Sequence, residues 1–174
     1  MRRTLWPHLA LAAVLLAGCS GDPEPKEPDS TTSPSPTTTP PPLPEAATQE
    51  TAEGAATFVD HYLDVLNYAA HSGDTDALRR ISDPDCAGCV TYANQFEERR
   101  DAGGSREGGV WSVGEVRISQ FGGDIALVTE LVSTAGVVRE SSDGAVQEFN
   151  ATSQTVTFVA GFATGSDDAG VCTG

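Results

Sequence analysis

Apolar residues recur at a spacing of three and four from Thr51 onward, which predicts a long first helix. We expect this helix to end at Gly73, because glycine readily adopts the left-handed conformation that follows many helices. The predicted apolar face consists of Ala55, Phe58, Val59, Tyr62, Leu66 and Ala69. The opposite face is polar and is expected to be solvated; it carries Asp60, Asp64, Asn67 and His71.

Two shorter helices are expected after the first. Thr75 can cap a second helix that runs to Ile81. The pair Asp83-Pro84 has the pattern of a cap followed by a proline in the first turn, which predicts a third helix. That helix should end at residues 103–104, and its inward side should carry Cys89, Ala93 and Phe96.

Beyond Gly109, β-branched residues and glycine turns replace the helical pattern. A slip in the alternation between Val113 and Val116 predicts a bulge at Gly114. The predicted strands cover residues 110–121, 125–133, 137–140, 145–149 and 155–162, with the third and fourth joined as a hairpin by residues 141–144. Three helices followed by an antiparallel sheet predict an α+β domain.

The first eighteen residues have the organisation of an export signal. A cationic start at residues 1–3 precedes a short apolar run over 9–17, which is too short to span a bilayer permanently. Residues 16–19, Leu-Ala-Gly-Cys, are similar to a bacterial lipobox, in which the cysteine receives a lipid. We therefore expect residues 1–18 to be removed and lipidated Cys19 to anchor the chain at the outer face of the cytoplasmic membrane. An ordinary secretory signal that happens to contain a cysteine is the alternative.

Residues 19–46 are expected to form a disordered tether, because nine of the eleven prolines lie there among Ser, Thr and acidic residues. Residues 47–174 have the length of one domain. We expect no regular structure in the glycine- and acid-rich tail over about 164–174. The domain holds seven arginines against twenty Asp and Glu residues, a net charge of −13. This charge argues against binding to nucleic acid or flat binding to an anionic membrane.

Cys86 and Cys89 form a C-x-x-C pair that allows three interpretations. In an exported protein, a disulfide that staples the start of the third helix is favoured. Thiol–disulfide exchange is the second interpretation, although the loop before the pair and the intervening Ala-Gly differ from the thioredoxin pattern. A metal site is the third, but the other possible ligands, Cys172, His61 and His71, are scattered.

The sequence contains no recognisable catalytic motif, phosphate-binding loop or metal-binding helix, and we expect no cofactor and no metal. The polar side chains that could point into a pocket are His61, Tyr68, Tyr92 and Trp111. On this basis a non-catalytic binding or assembly module, with an envelope protein or a small ligand as its partner, is favoured. The alternatives are a small-molecule enzyme that uses an internal cavity and an envelope thiol–disulfide protein that uses Cys86 and Cys89.

Three stretches carry a resemblance to a known family: "FVDHYLDVLNYAAHSGD", "SDPDCAGC" and "GGVWSVGEVRI". Together they resemble a family of actinobacterial lipoproteins that is a domain of unknown function, over residues 45 to about 160. The order of elements resembles the nuclear transport factor 2-like cone, a curved sheet around a long helix that limonene epoxide hydrolases and ketosteroid isomerases share. The chain departs from the family at its end, where a final strand with a W-x-V pair is expected and "GFATGSDDAGVCTG" stands instead.

The lipobox predicts that Cys19→Ser leaves the chain without its lipid. Fractionation of cells that make the protein should then find it in the soluble fraction, with the unchanged chain as the control in the membrane fraction. Retention of Cys19→Ser in washed membranes would show that Cys19 is not the anchor.

Overall fold

Helices occupy the first part of the chain in the computed structural model, which describes residues 39–121, 124–162 and 169–173. A short 3-10 helix over Glu45–Thr48 precedes helices α1 (Ala52–Ser72), α2 (Asp76–Ile81) and α3 (Ala87–Asp101). All the described residues belong to one compact unit. None of the helices within these ranges is long and apolar enough to cross a membrane. Cys19 and the predicted signal and tether up to residue 38 lie outside the described residues.

Helix α1 begins and ends as its sequence predicts. The Thr51 side chain accepts a hydrogen bond from the Gly54 backbone N–H at 3.0 Å, and Gly73 follows the helix with φ +70°. Every residue of the predicted apolar face is buried. Burial extends around the helix to include Leu63, Val65 and His61, because α1 contacts the other two helices and both sheets.

The caps of α2 and α3 differ from the predicted ones. Thr75 makes no capping bond, and its hydroxyl instead donates to the Glu97 carboxylate of α3. Helix α3 begins three residues after Pro84, because residues 83–86 form a turn in which the Cys86 N–H donates to the Asp83 carbonyl. Cys86 is the actual cap, and its sulfur accepts a hydrogen bond from the Cys89 N–H at 3.3 Å.

Seven strands follow the helices and form two antiparallel sheets. Their bounds are β1 Gly103–Gly108, β2 Trp111–Phe121, β3 Asp124–Ser133, β4 Gly136–Ser141, β5 Val146–Phe149, β6 Thr152–Phe162 and β7 Ala169–Thr173. The three-stranded sheet has the order β1-β4-β5, and the four-stranded sheet has the order β2-β3-β6-β7. The chain is therefore α+β with antiparallel sheets, as its sequence predicts. The register of β2 against β3 shifts between Val113 and Val116, which confirms the predicted bulge.

Two strands were not predicted. Strand β1 has the sequence GGSREG, which lacks the β-branched and aromatic residues that indicate strands, and it forms because it pairs with β4. Strand β7 lies within the tail that was expected to lack regular structure. It pairs with β6, where Cys172 stands opposite Val159. Pairing with a neighbouring strand overrides weak local preference in both cases. Residues 163–168 and 174 lie outside the described residues.

The core lies between α1 and the four-stranded sheet. Tyr62 of α1 meets Phe158 of β6 edge to face, with ring centroids 6.2 Å apart. Phe58, Leu127 and Phe158 are at most 2% exposed. Burial of each such side chain contributes about 2 kcal/mol, so these three residues help to hold the helix on the sheet.

The prediction that Asn67 and His71 are solvated is wrong. The Asn67 amide donates to the Trp111 carbonyl at 2.8 Å and accepts from the Trp111 N–H at 2.9 Å. The ring nitrogens of His71 lie 2.7 Å from the Asn67 carbonyl oxygen and 3.0 Å from that of Gly108. Asn67 thus binds the start of β2, and His71 lies against the end of β1. Helical periodicity in the sequence does not reveal such contacts with distant strands.

The paired bonds of Asn67 predict a large effect of Asn67→Ala. The substitution removes two hydrogen bonds and leaves a half-buried backbone N–H and carbonyl without their partners, so the free energy of unfolding should fall by about 2 kcal/mol. Urea unfolding measures this change. The control is Asp64→Ala on the same helix, whose exposed side chain should contribute less than about 0.5 kcal/mol. Equal effects of the two substitutions would contradict the structural role of Asn67.

Candidate functional site

The structure joins Cys86 and Cys89 by a disulfide at the start of α3, with their Cα atoms 5.4 Å apart. Both residues are buried, at 3% and 2% exposure. The Tyr62 hydroxyl donates to the Cys89 sulfur at 3.3 Å, which connects the disulfide to the middle of α1. The disulfide therefore lies where α1 meets the first turn of α3.

A cleft of about 200 Å³ opens beside the disulfide, between α2 and α3. It is lined by Arg79, Ser82, Asp83, Pro84, Cys89, Val90 and Ala93. The positively charged side chain of the cleft, Arg79, already has partners: it forms an ion pair with Glu97 at 2.9 Å and also donates a hydrogen bond to Asn94. Hydrogen bonds from Arg79, and then from Thr75, hold the pKa of Glu97 below its usual range. The guanidinium of Arg79 is thus already occupied by groups of the protein itself.

The four predicted pocket residues do not converge on one point. His61 is 4% exposed and packs edge to face on Phe58, with ring centroids 6.4 Å apart. Burial lowers the pKa of His61, and the Asp64 carboxylate opposes this effect only in part. The Tyr68 hydroxyl donates to Asp74 at 2.9 Å. Burial and this bond raise the pKa of Tyr68. Neither residue contacts Tyr92 or Trp111 through a hydrogen bond or ring contact in the described part of the chain.

Tyr92 and Trp111, in contrast, lie together. Their rings meet edge to face with centroids 6.4 Å apart. Phe96, one turn further along α3, stacks on Tyr92 at 6.1 Å and lies against Trp111 at 6.4 Å. Phe96 is buried, whereas Tyr92 is 42% exposed. The three rings form a continuous aromatic surface that starts in the core and ends in solvent.

Arg106 of β1 extends this surface between two aromatic rings. Its guanidinium carbon lies 4.4 Å from the Trp111 centroid and 4.8 Å from the Phe149 centroid, which is the geometry of a cation–π contact on both faces. Burial, followed by the nearby charge of Arg99, lowers the pKa of Arg106. Gly136 leaves room for Phe149, because a Cβ there would lie 2.7 Å from the ring.

Arg99, in the last turn of α3, binds Glu140 of β4 through a two-pronged ion pair. Its Nε and Nη2 atoms lie 3.1 and 3.2 Å from the two carboxylate oxygens. The Arg99 side chain is only 10% exposed, whereas that of Glu140 is 56% exposed. Gly104 makes the contact possible, because a Cβ there would lie 2.7 Å from Arg99 Cγ.

We call this surface the arginine–aromatic shelf; its residues are Tyr92, Phe96, Arg99, Arg106, Trp111 and Phe149. The sequence indicated Tyr92 and Trp111 as pocket residues and Phe96 as core, but it missed both arginines and Phe149. The sequence signal that could have indicated this packing was the glycines at 109 and 136, since glycine permits large side chains to pack closely against the backbone. Groups of three or more His, Cys, Asp or Glu that could hold a metal are absent from the described residues.

The fold is similar to that of a solved structure, the intermembrane space region of the chloroplast protein ARC6. The TM-score is 0.50 with 8% sequence identity, and the likeness covers 70% of this chain and 92% of that chain. At this identity the likeness concerns the fold alone. No curated protein matches the chain in sequence.

One protein family matches most of the chain. Its pattern covers residues 26–159, which include all three helices and the strands up to most of β6. The match also begins before the described residues, within the stretch that the sequence predicts to be a tether. The chain belongs to DUF6318, a family of unknown function.

Proposed function

We propose that this protein is a lipid-anchored, non-catalytic binding module of the cell envelope, and that it binds a protein partner on the arginine–aromatic shelf. The observation that carries the proposal is the composition of the shelf. Tyr, Trp and Arg dominate the residues that contribute most to protein–protein binding, and they do so from sites where a rigid aromatic side chain is held in place. Tyr92 is such a residue, since it is 42% exposed and fixed by Phe96 and Trp111.

The anchoring part of the proposal rests on the sequence before residue 47. A cationic start, a short apolar run and Leu-Ala-Gly-Cys19 follow one another in the order of a lipoprotein signal. The proline-rich stretch after Cys19 then suits a stalk that holds the domain away from the membrane surface. The resemblance to actinobacterial lipoproteins supports the same location, the outer face of the cytoplasmic membrane.

We also propose that the fold is a nuclear transport factor 2-like cone. A long helix packed against an antiparallel sheet, with the helices first along the chain, supports this assignment. The enzymes of that fold class work in a cavity between helix and sheet. Here Phe58, Tyr62 and Phe96 fill that region at 2–3% exposure, which favours binding on the surface over catalysis inside.

The disulfide supports a structural role better than an exchange role. An exchange catalyst needs a sulfur that an incoming thiolate can reach, and both sulfur-bearing residues are at most 3% exposed. The Tyr62–Cys89 hydrogen bond further ties the pair to the core.

Photo-crosslinking tests the binding surface. Replacement of Tyr92 by p-benzoyl-phenylalanine in cells that make the protein should give one discrete protein adduct on irradiation. The matched control is the same replacement at Val132 of the four-stranded sheet, which is 36% exposed and should give no such adduct. A lack of adduct at residue 92, or the same adduct from both positions, would contradict the proposal.

Reduction of the disulfide should cost stability without loss of binding. Closure of a four-residue loop by Cys86 and Cys89 stabilises the fold by about 2 kcal/mol on the chain-entropy account, so dithiothreitol should lower the free energy of unfolding by that amount. The Cys86→Ser, Cys89→Ser double variant is the control and should not respond to dithiothreitol. Loss of the Tyr92 adduct in a folded double variant would instead assign the function to the cysteine pair.

A further inference from the structure

The shelf contains two arginines, and a carboxylate from outside the shelf, that of Glu140, pairs with one of them. Arg99 uses Nε and Nη2 to bind Glu140, and its Nη1 atom is buried with no hydrogen-bond partner. Arg106 donates from Nη2 to the Gly109 carbonyl at 3.2 Å, and its Nε atom is also buried with no partner. These are the two buried side-chain nitrogens without a partner in the part of the chain that the structure describes.

Unpaired buried donors of this kind are rare, because a buried N–H that has lost its water normally finds an acceptor. Repulsion between the two guanidinium groups adds to the imbalance, since Arg99 lowers the pKa of Arg106. The local excess of positive charge is notable in a chain whose net charge is −15. Glu140 therefore leaves one of the two positive charges of the shelf unbalanced.

Glu140 is the least constrained member of this cluster. Its side chain is 56% exposed, whereas that of Arg99 is 10% exposed. The carboxylate can therefore turn into solvent while Arg106 stays in place, held by the Gly109 carbonyl, Trp111 and Phe149. Arg99 is confined by its burial, since its side chain is only 10% exposed. Glu140 thus has the position of an internal ligand that an external one could displace.

We propose that the shelf binds a carboxylate group of the partner, which displaces Glu140 from Arg99 and pairs with both arginines. This inference rests on the proposed function, because it names the chemical group that the partner presents. The fork geometry of Arg99 already accommodates a planar carboxylate, as its pairing with Glu140 shows. Tyr92 and Trp111 border the site, so an apolar or aromatic group next to the carboxylate would stack there.

Tryptophan fluorescence provides the test. The chain has two tryptophans, Trp6 and Trp111. Trp6 lies in the predicted signal, so the mature chain from Cys19 onward reports on Trp111 alone. The probes are N-acetyl-phenylalanine, its uncharged amide and inorganic phosphate, at constant ionic strength. N-acetyl-glutamic acid α-amide, with a side-chain carboxylate, distinguishes an acidic side chain of the partner from a chain terminus.

N-acetyl-phenylalanine should bind, and its uncharged amide should not. Glu140→Gln removes the internal competitor, so the affinity for the acid should rise about tenfold. Glu140→Asp has a shorter reach, and it should give an intermediate affinity even if Glu140→Gln proves unstable. The matched control is Glu148→Gln, an exposed residue of the same sheet whose substitution should leave the affinity unchanged.

Three results would overturn the proposal: equal binding of acid and amide, phosphate bound more tightly than either acid, or no gain in affinity in either Glu140 variant. The photo-crosslinked adduct at Tyr92 shows whether only the carboxylate site fails or the proposed binding function fails as well. An adduct that persists while the acids fail to bind would refute the carboxylate site and leave the binding module intact. If neither is observed, the binding module is refuted as well.

Discussion

The pairing of Asn67 with the backbone of Trp111 is the constraint on which the functional surface depends. The Asn67 amide donates to the Trp111 carbonyl and accepts from the Trp111 N–H. It thus makes the pair of hydrogen bonds that a residue of a neighbouring β-strand would make. It thereby fixes helix α1 against the first residue of β2. The side chain of that residue contacts Tyr92, Phe96 and Arg106, so the position of α1 determines how helix α3 and strand β1 meet.

The sequence predicted the elements whose signals are local. The apolar face of α1 and its end at Gly73 follow from periodicity and glycine conformation, and both are present. The bulge near Gly114 and the hairpin of β4 and β5 were readable from alternation and turn residues. These features depend on the immediate neighbours of each residue, which a single sequence contains.

Features that depend on distant partners were missed. Strand β1 has a poor strand sequence and exists because β4 pairs with it. Asn67 lies on a face that looks solvated until β2 is known to begin there. Arg106 is an ordinary charged residue in the sequence, and only the fold reveals the two rings around it. Of the four predicted pocket residues, only Tyr92 and Trp111 meet in the shelf. They belong to different elements, α3 and β2, whose packing against each other the sequence alone does not reveal.

The central claim is that the arginine–aromatic shelf is the ligand surface of this protein. The most direct measurement is a map of chemical-shift changes in the ¹⁵N-labelled full chain on addition of N-acetyl-phenylalanine. The account predicts that the largest changes occur at the indole N–H of Trp111, the side-chain N–H groups of Arg99 and Arg106, and the amide of Tyr92. Changes centred on Arg79 and Val90, in the cleft beside the disulfide, would contradict it.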